Sequence, residues 1–303
     1  MEGIAAVLLL IFIAVVIMVN VFYRMGKKRE MPTLSDHLPN LGIQAHSTDF
    51  QMQMKLLIDH LHTSYPPHYV ERIKERVIRQ HHISLVEWEH RWFEWERYLV
   101  MTAILRSVPM YSSQVDAVWH EMLMFTREYR QFSQQYLKVM LHHIPNTSEN
   151  NPFNPSERAW FDLIYVLLFQ PSQYSQMSWG TFLQHPLAKS VLHDFERLSP
   201  ELLKKKYFNE RAAEYVPGAG EIISFLIQFM IHEIKSQNRF VKVSGTNTHD
   251  FYHHYLKEKT NQPTLLQIRG VIYLSTYHYD DFYPQYEVLF QQISQTTSPH
   301  TYH

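Results

Sequence analysis

The sequence predicts a mainly α-helical protein, with a single N-terminal transmembrane helix followed by a multi-helix globular domain. Three observations lead to this fold class. Residues 4–22 form an almost uninterrupted apolar run. Further along, apolar and aromatic side chains recur every three or four residues, as do Trp88, Trp92 and Trp95, which is the spacing of one helix face. With 303 residues, 45% of them hydrophobic, the chain can bury a substantial core.

The apolar run at residues 4–22 contains one polar residue, Asn20, and is long enough to cross about 30 Å of hydrocarbon as a helix. A cleaved signal peptide would carry a basic segment before the run, whereas Glu2 is found there. We therefore expect an uncleaved anchor at residues 1–23. Four basic residues follow within residues 24–29, which predicts an N-terminus outside the cell membrane and a cytoplasmic C-terminal domain. Membrane lipid is the expected partner of this helix.

The charge and cysteine content exclude several functional classes. The chain has 28 basic and 29 acidic residues, so no overall positive charge attracts a polyanion, and we expect no nucleic-acid partner. The absence of cysteine excludes disulfides, thiolate zinc sites and a cysteine nucleophile. Any bound metal must use His, Asp or Glu. Histidine is abundant, with 20 residues, but abundance alone does not define a site.

Periodicity and loop signals divide the remaining chain. Residues 24–48 are expected to be a basic juxtamembrane segment and linker. Residues 49–145 form a predicted helical domain that contains a Trp-His motif, and residues 146–303 a helical C-terminal region. An Asn- and Pro-rich loop begins the second of these. Helices are predicted at residues 50–62, 69–80, 84–106, 114–136, 156–169, 198–216 and 221–237, and a short strand at residues 240–243.

Two stretches are predicted to lie in the core. Trp88, Trp92 and Trp95 share one face of the predicted helix at residues 84–106. Because burial requires this spacing, we interpret the stripe as core packing rather than as a ligand-binding aromatic box. Residues 224–231 are apolar but too short to span a bilayer. They predict a buried helix rather than a second membrane pass.

Asp116 and His120 are the leading candidates for chemistry. On the predicted helix at residues 114–136 an apolar stripe runs along one side, and Asp116 and His120 lie on roughly the opposite side with Trp119 between. The helix is therefore predicted to be covered on both sides. Asp116 and His120 are four residues apart and can touch, and a carboxylate beside an imidazole fixes its tautomer and raises its basicity.

Two interpretations of this pair remain open. Ser113-x-x-Asp116 matches a capping box, so Asp116 can serve only the helix start while His120 is a hydrogen-bonded core histidine. Alternatively, a divalent metal is held by His120, by Asp116 and by one of His142 and His143. These last two are adjacent on a predicted helix end, so their side chains diverge by about 100° and only one can face His120.

A set of residues in the central stretch resembles a known family. In chain order it comprises Val115-Asp116-x-x-Trp119-His120, Tyr129 and His142-His143-x-Pro145. This order is similar to the glycine-rich-domain-containing-protein family, whose shared segment is a domain of unknown function, and the resemblance covers residues 88–145. It implies that Trp119, Tyr129 and Pro145 belong to a structural motif. The family commonly has a second histidine where this chain has Met122, and it implies no settled activity.

Two functional hypotheses of different classes follow. In the first, the protein is a membrane-anchored interaction or scaffold module for an unknown protein partner, and Asp116, Trp119 and His120 form a polar core that locks adjacent helices. In the alternative, it is a metal-dependent enzyme, with a hydrolase as one option, in which His120 and His143 bind the ion and Asp116 is or supports a ligand. The sequence contains no phosphate-binding loop, nucleophile elbow or dinucleotide fingerprint. Enzymatic activity stays open.

Polar residues also cluster near the C-terminus. His253-His254 and His278-x-Asp280-Asp281 could bind a metal if the fold brings them together. Because no ligand-spacing rule connects them, a solvated polar face is the favoured interpretation.

Overall fold

The computed structural model describes residues 39–142, 153–257 and 263–297, which belong to one compact unit at residues 37–303. The predicted anchor at residues 1–23 and most of the predicted linker lie outside the described residues. Within the described part of the chain, no helix combines the length and the apolar character needed to cross a membrane.

The described residues form fourteen α-helices and no β-strand, which confirms the mainly α prediction. In chain order they are α1 (Thr48–Ser64), α2 (Tyr69–His81), α3 (Leu85–Ile104), α4 (Ser113–Leu123), α5 (Thr126–Leu137), α6 (Pro155–Leu168), α7 (Gln173–Trp179), α8 (Lys189–Arg197), α9 (Pro200–Tyr207), α10 (Glu210–Tyr215), α11 (Ala219–Ser244), α12 (Thr248–Lys257), α13 (Pro263–Tyr277) and α14 (Phe282–Thr297). Isolated antiparallel bridges join Ile43 to Phe169 and Leu105 to Phe208.

Capping side chains set several helix starts. The Ser84 hydroxyl accepts a hydrogen bond from the Glu87 N–H at the start of α3. Asn154 caps α6, whose first residue is Pro155. A capping oxygen satisfies an N–H group that the first turn leaves without a partner, and proline at the first position loses no intrahelical hydrogen bond. The predicted starts of both helices therefore agree with the structure.

The single helix predicted at residues 114–136 is wrong, because the chain forms α4 and α5 with a break between them. The break has a tertiary cause. The Tyr69 hydroxyl of α2 donates a hydrogen bond to the Met122 carbonyl at 2.9 Å. The Arg72 guanidinium lies 4.3 Å from the centre of the Phe125 ring. Contacts with α2 thus stabilise the turn between α4 and α5, which the apolar periodicity does not indicate.

The single helix predicted at residues 198–216 is also wrong. Helix α9 ends before Phe208, and α10 starts after Asn209. The Asn209 side chain accepts a hydrogen bond from the Ala212 N–H at 3.0 Å and donates one to the Thr102 carbonyl at 2.9 Å. Asn209 therefore caps a new helix and ties it to α3, which ends the preceding helix.

The strand predicted at residues 240–243 is wrong because these residues end α11. Phe240 is buried, and its ring lies 6.0 Å from the ring of Phe251 in α12. Packing against a neighbouring helix overrides the local β propensity of this stretch.

Helix α3 lies at the centre of the helical body. Trp88, Trp95 and Leu99 are buried and Trp92 packs against the same core, which confirms core packing for the tryptophan stripe. Helices α1, α2 and α4 contact α3 from the first half of the chain, and α7, α10 and α11 contact it from the second. The apolar stretch at residues 224–231 lies in α11 and contributes buried side chains to this core, as predicted.

Candidate functional site

Asp116 and His120 lie side by side on α4. The His120 Nδ1 is 3.7 Å from the Asp116 Oδ2, and the His120 side chain is 53% exposed. The prediction that this helix is covered on both sides is wrong, because its buried residues form a single face. That face comprises Val115, Val118, Trp119 and Met122. Since α4 packs through one face only, the Asp116–His120 pair lies on the solvent side and is not a buried polar core.

His142 does not lie on a helix end. Helix α5 ends at Leu137 and is followed by Lys138 in the left-handed conformation, with φ 58°. His142 is exposed and non-helical, so the predicted helix before Pro145 is wrong. His143 and Pro145 lie outside the described residues. Within residues that are described, no group of three or more His, Asp or Glu side chains could hold a metal ion.

Trp119 and Tyr129 are brought together by a chain of hydrogen bonds. The Trp119 indole Nε1 donates to the Tyr129 hydroxyl at 2.8 Å, and this hydroxyl donates to the Leu141 carbonyl at 2.6 Å. Trp119 and Tyr129 are both buried, and burial raises the pKa of Tyr129 to about 12. The chain of hydrogen bonds joins α4, α5 and the segment after α5, and it satisfies polar groups that would otherwise be buried without partners.

Met122 occupies the position at which the resembled family commonly has a histidine. Its side chain is fully buried on the packed face of α4. An ionisable imidazole there would have to lose its hydration on the core side of α4. Met122 thus supplies packing at this position.

Arg97 of α3 is the centre of a buried polar cluster that sequence reasoning missed. The guanidinium and the Glu94 carboxylate are both fully buried, with a closest distance of 3.4 Å. Arg97 donates further hydrogen bonds to the Leu41 carbonyl at 3.0 Å, to the Tyr165 hydroxyl at 2.7 Å and to the Gln170 carbonyl at 3.1 Å. One side chain thereby joins α3 to the segment before α1, to α6 and to the segment after α6.

Glu94 accepts hydrogen bonds from three side chains besides Arg97. The donors are the Tyr165 hydroxyl at 2.6 Å, the Ser175 hydroxyl at 2.8 Å and the Trp179 indole at 2.7 Å. A buried carboxylate is tolerated when its charge is paired and its oxygens are bonded in this way. The sequence offered one signal, two opposite charges three residues apart in a tryptophan-rich helix.

Arg158 and Asp162 of α6 form a second buried pair. The Arg158 Nε donates to the Asp162 carboxylate at 2.7 Å, and the Leu183 N–H donates to the same carboxylate at 3.0 Å. Desolvation outweighs these stabilising contacts and raises the pKa of Asp162 to about 6. Leu183 has a φ of 63°, so the carboxylate holds a backbone conformation that is costly for leucine.

Comparison with known proteins matches part of the chain to a family. A family model described as UCP032817-like matches residues 55–161. The match contains all of residues 88–145, for which the sequence resembles a domain of unknown function, but the glycine-rich-domain name is not confirmed. The description states no activity. No curated protein and no solved structure shows significant similarity to the chain.

Proposed function

We propose that this protein is a single-pass, membrane-anchored protein-interaction module whose helical body lies in the cytoplasm. The anchor rests on the apolar run at residues 4–22 and the basic residues that follow it. The interaction role rests on one observation: four buried polar side chains of the family-matched segment bond to one another or to groups of other segments, namely Glu94, Arg97, Trp119 and Tyr129. Polar groups used in this way fix helices relative to each other.

Rigidity supports an interaction role because an ordered surface loses less conformational entropy when a partner binds. The Trp119–Tyr129 hydrogen bond fixes α4 to α5. The Glu94–Arg97 cluster fixes α3 to α6 and α7. The described helical body therefore offers a preorganised surface rather than a loosely connected set of helices.

The interaction proposal is tested with the full-length chain, purified from native membranes after mild crosslinking. Wild type, His120→Ala and Tyr129→Phe are compared for the proteins that co-purify. We expect a stoichiometric partner with wild type, the same amount with His120→Ala, and less with Tyr129→Phe in proportion to its lost stability. Loss of the partner in His120→Ala, at unchanged stability, would contradict a role that depends on the fold alone. Absence of any partner with wild type would overturn the proposal.

The alternative function is a metal-dependent enzyme that uses Asp116, His120 and His143. One observation favours it: His120 is open to solvent beside a carboxylate, as an exchangeable metal or substrate site requires. The test is elemental analysis of the purified chain. About one zinc, iron or manganese per chain, lost in both His120→Ala and His143→Ala, would favour this function over the first.

The membrane orientation has its own test. A reporter fused after His303 is expected to be cytoplasmic, because the basic residues after the anchor favour the cytoplasmic side. Protease added to intact cells should leave the C-terminal domain uncleaved. Cleavage under these conditions would reverse the proposed orientation.

A further inference from the structure

Two histidines on α12 face each other one helical turn apart. The His249 Nε2 and the His253 Nε2 are 3.0 Å apart, and both side chains are exposed. Residues at this spacing lie on the same side of a helix. The first turn is held in place by Asn247, whose side-chain oxygen accepts hydrogen bonds from the His249 and Asp250 N–H groups.

This distance is close to the one that a shared metal ion requires. Two imidazole nitrogens at about 2.0–2.1 Å from one ion lie about 3 Å apart when the angle at the metal is near 90°, as in square-planar nickel or copper sites, and about 3.3 Å apart at the tetrahedral angle of zinc. A histidine pair at positions i and i+4 of a helix is also the arrangement that zinc-binding helices use. We propose that His249 and His253 form a two-histidine chelating site for a divalent transition-metal ion such as zinc, nickel or copper.

The surroundings fit a site with two protein ligands. Asp250 lies close to the His249 ring on the Nδ1 side, at 4.0 Å, so its negative charge offsets the positive end of the helix without occupying Nε2. Because both histidines are exposed, water or a ligand from another molecule can complete the coordination. Such a site agrees with the absence of any three-residue metal-binding group among the described residues.

The other two histidines of this region have different contacts. His254 packs against Phe240, with ring centres 4.8 Å apart. The His278 Nε2 is hydrogen-bonded to the Thr246 carbonyl at 2.7 Å. The partner of His253 is therefore His249, which a His-x-x-x-His pattern could have indicated.

The experiment is isothermal titration of the full-length chain, in detergent, with ZnCl₂ and separately with NiCl₂. The variants are His249→Gln, His253→Gln and the double substitution, with His232→Gln as a matched control because His232 is an exposed histidine of α11. We expect one chelating site per chain in wild type and in the control. Each single substitution should weaken it at least about tenfold, because the loss of even an outer-shell partner of a metal site costs about 10–100-fold in affinity, and the double substitution should remove it.

Thermal unfolding provides the second measurement. Without metal, all variants should unfold at the wild-type temperature, because both side chains are exposed. With zinc, wild type and the His232 control should be stabilised, and the α12 variants should not. Zinc affinity that is equal in wild type, His249→Gln and His253→Gln would overturn the proposal. The 3.0 Å contact would then be a hydrogen bond between two neutral imidazoles.

Discussion

Helices α3 and α4 each carry an acidic and a basic side chain within one turn, and they use these charges in opposite ways. Glu94 and Arg97 of α3 are fully buried, and their bonds reach several distant segments. Asp116 and His120 of α4 lie 3.7 Å apart, with His120 53% exposed. The pair in the recognisable motif is thus on the surface, while the pair hidden in the tryptophan stripe organises the core.

The charged pair that is easiest to find in the sequence is therefore not the pair that contributes most to stability. Breaking a buried ion pair leaves an uncompensated charge in the core and costs about 3–5 kcal/mol. An exposed pair contributes about 0–1 kcal/mol because water screens both charges. Stability measurements on the two helices should therefore differ by several kcal/mol, and the following substitutions test this from the largest expected effect to the smallest.

Arg97→Met should destabilise the protein most. The substitution leaves the Glu94 carboxylate buried without its cation, and we expect a loss of about 3–5 kcal/mol in the free energy of unfolding by denaturant titration. Arg127→Met is the control, because Arg127 is exposed on α5. A double variant with Glu94→Gln should cost less than the sum of the two single changes. A loss below about 1 kcal/mol for Arg97→Met would show that the cluster is not essential to the core.

Asp162 should make stability depend on pH in the mildly acidic range. Burial raises the pKa of Asp162 in the folded state from 3.8 to about 6. The stabilisation that comes from protonating this carboxyl group is therefore fully present below about pH 4 and is lost as the pH rises through 6. The shift corresponds to about 3 kcal/mol. The unfolding free energy of wild type minus that of Asp162→Asn should therefore fall between pH 4 and 7. Asp59→Asn, at an exposed carboxylate, should show no such trend, and a constant difference for Asp162→Asn would contradict the raised pKa.

Tyr129→Phe tests whether the motif aromatics are structural. Removing the hydroxyl deprives the Trp119 indole and the Leu141 carbonyl of their shared partner. The expected cost is about 1–3 kcal/mol in unfolding free energy, the range for a buried polar group left unsatisfied. Tyr215→Phe is a suitable control because Tyr215 is 58% exposed. Equal stability of Tyr129→Phe and Tyr215→Phe would show that this chain of hydrogen bonds does not stabilise the fold.

His120→Ala should have the smallest effect. The side chain is half exposed and its nearest carboxylate oxygen lies at 3.7 Å, so we expect a change within about 0.5 kcal/mol. Thermal unfolding in metal-free buffer measures it directly. A loss above about 2 kcal/mol would show that His120 belongs to the core. The charged pairs of α3 and α4 would then not differ in their importance for stability.

Local sequence signals predicted much of the fold. The apolar period identified α3, and the predicted starts of α3 and α6 lie within one residue of the observed ones. The tryptophan stripe was correctly assigned to the core. For the candidate site, the four-residue spacing of Asp116 and His120 was enough to predict their proximity, because helix geometry alone determines it.

The remaining features depend on contacts between residues far apart in the chain. The break after α4 follows from Tyr69 binding the Met122 carbonyl, and the exposure of His120 follows from which face of α4 meets its neighbours. The sequence by itself determined the helical class, the stripe and several helix starts, since these depend on residues within a few positions of each other. Only the tertiary structure decided which charged pair is buried and which is exposed, because burial is set by the neighbours that packing brings to each helix face.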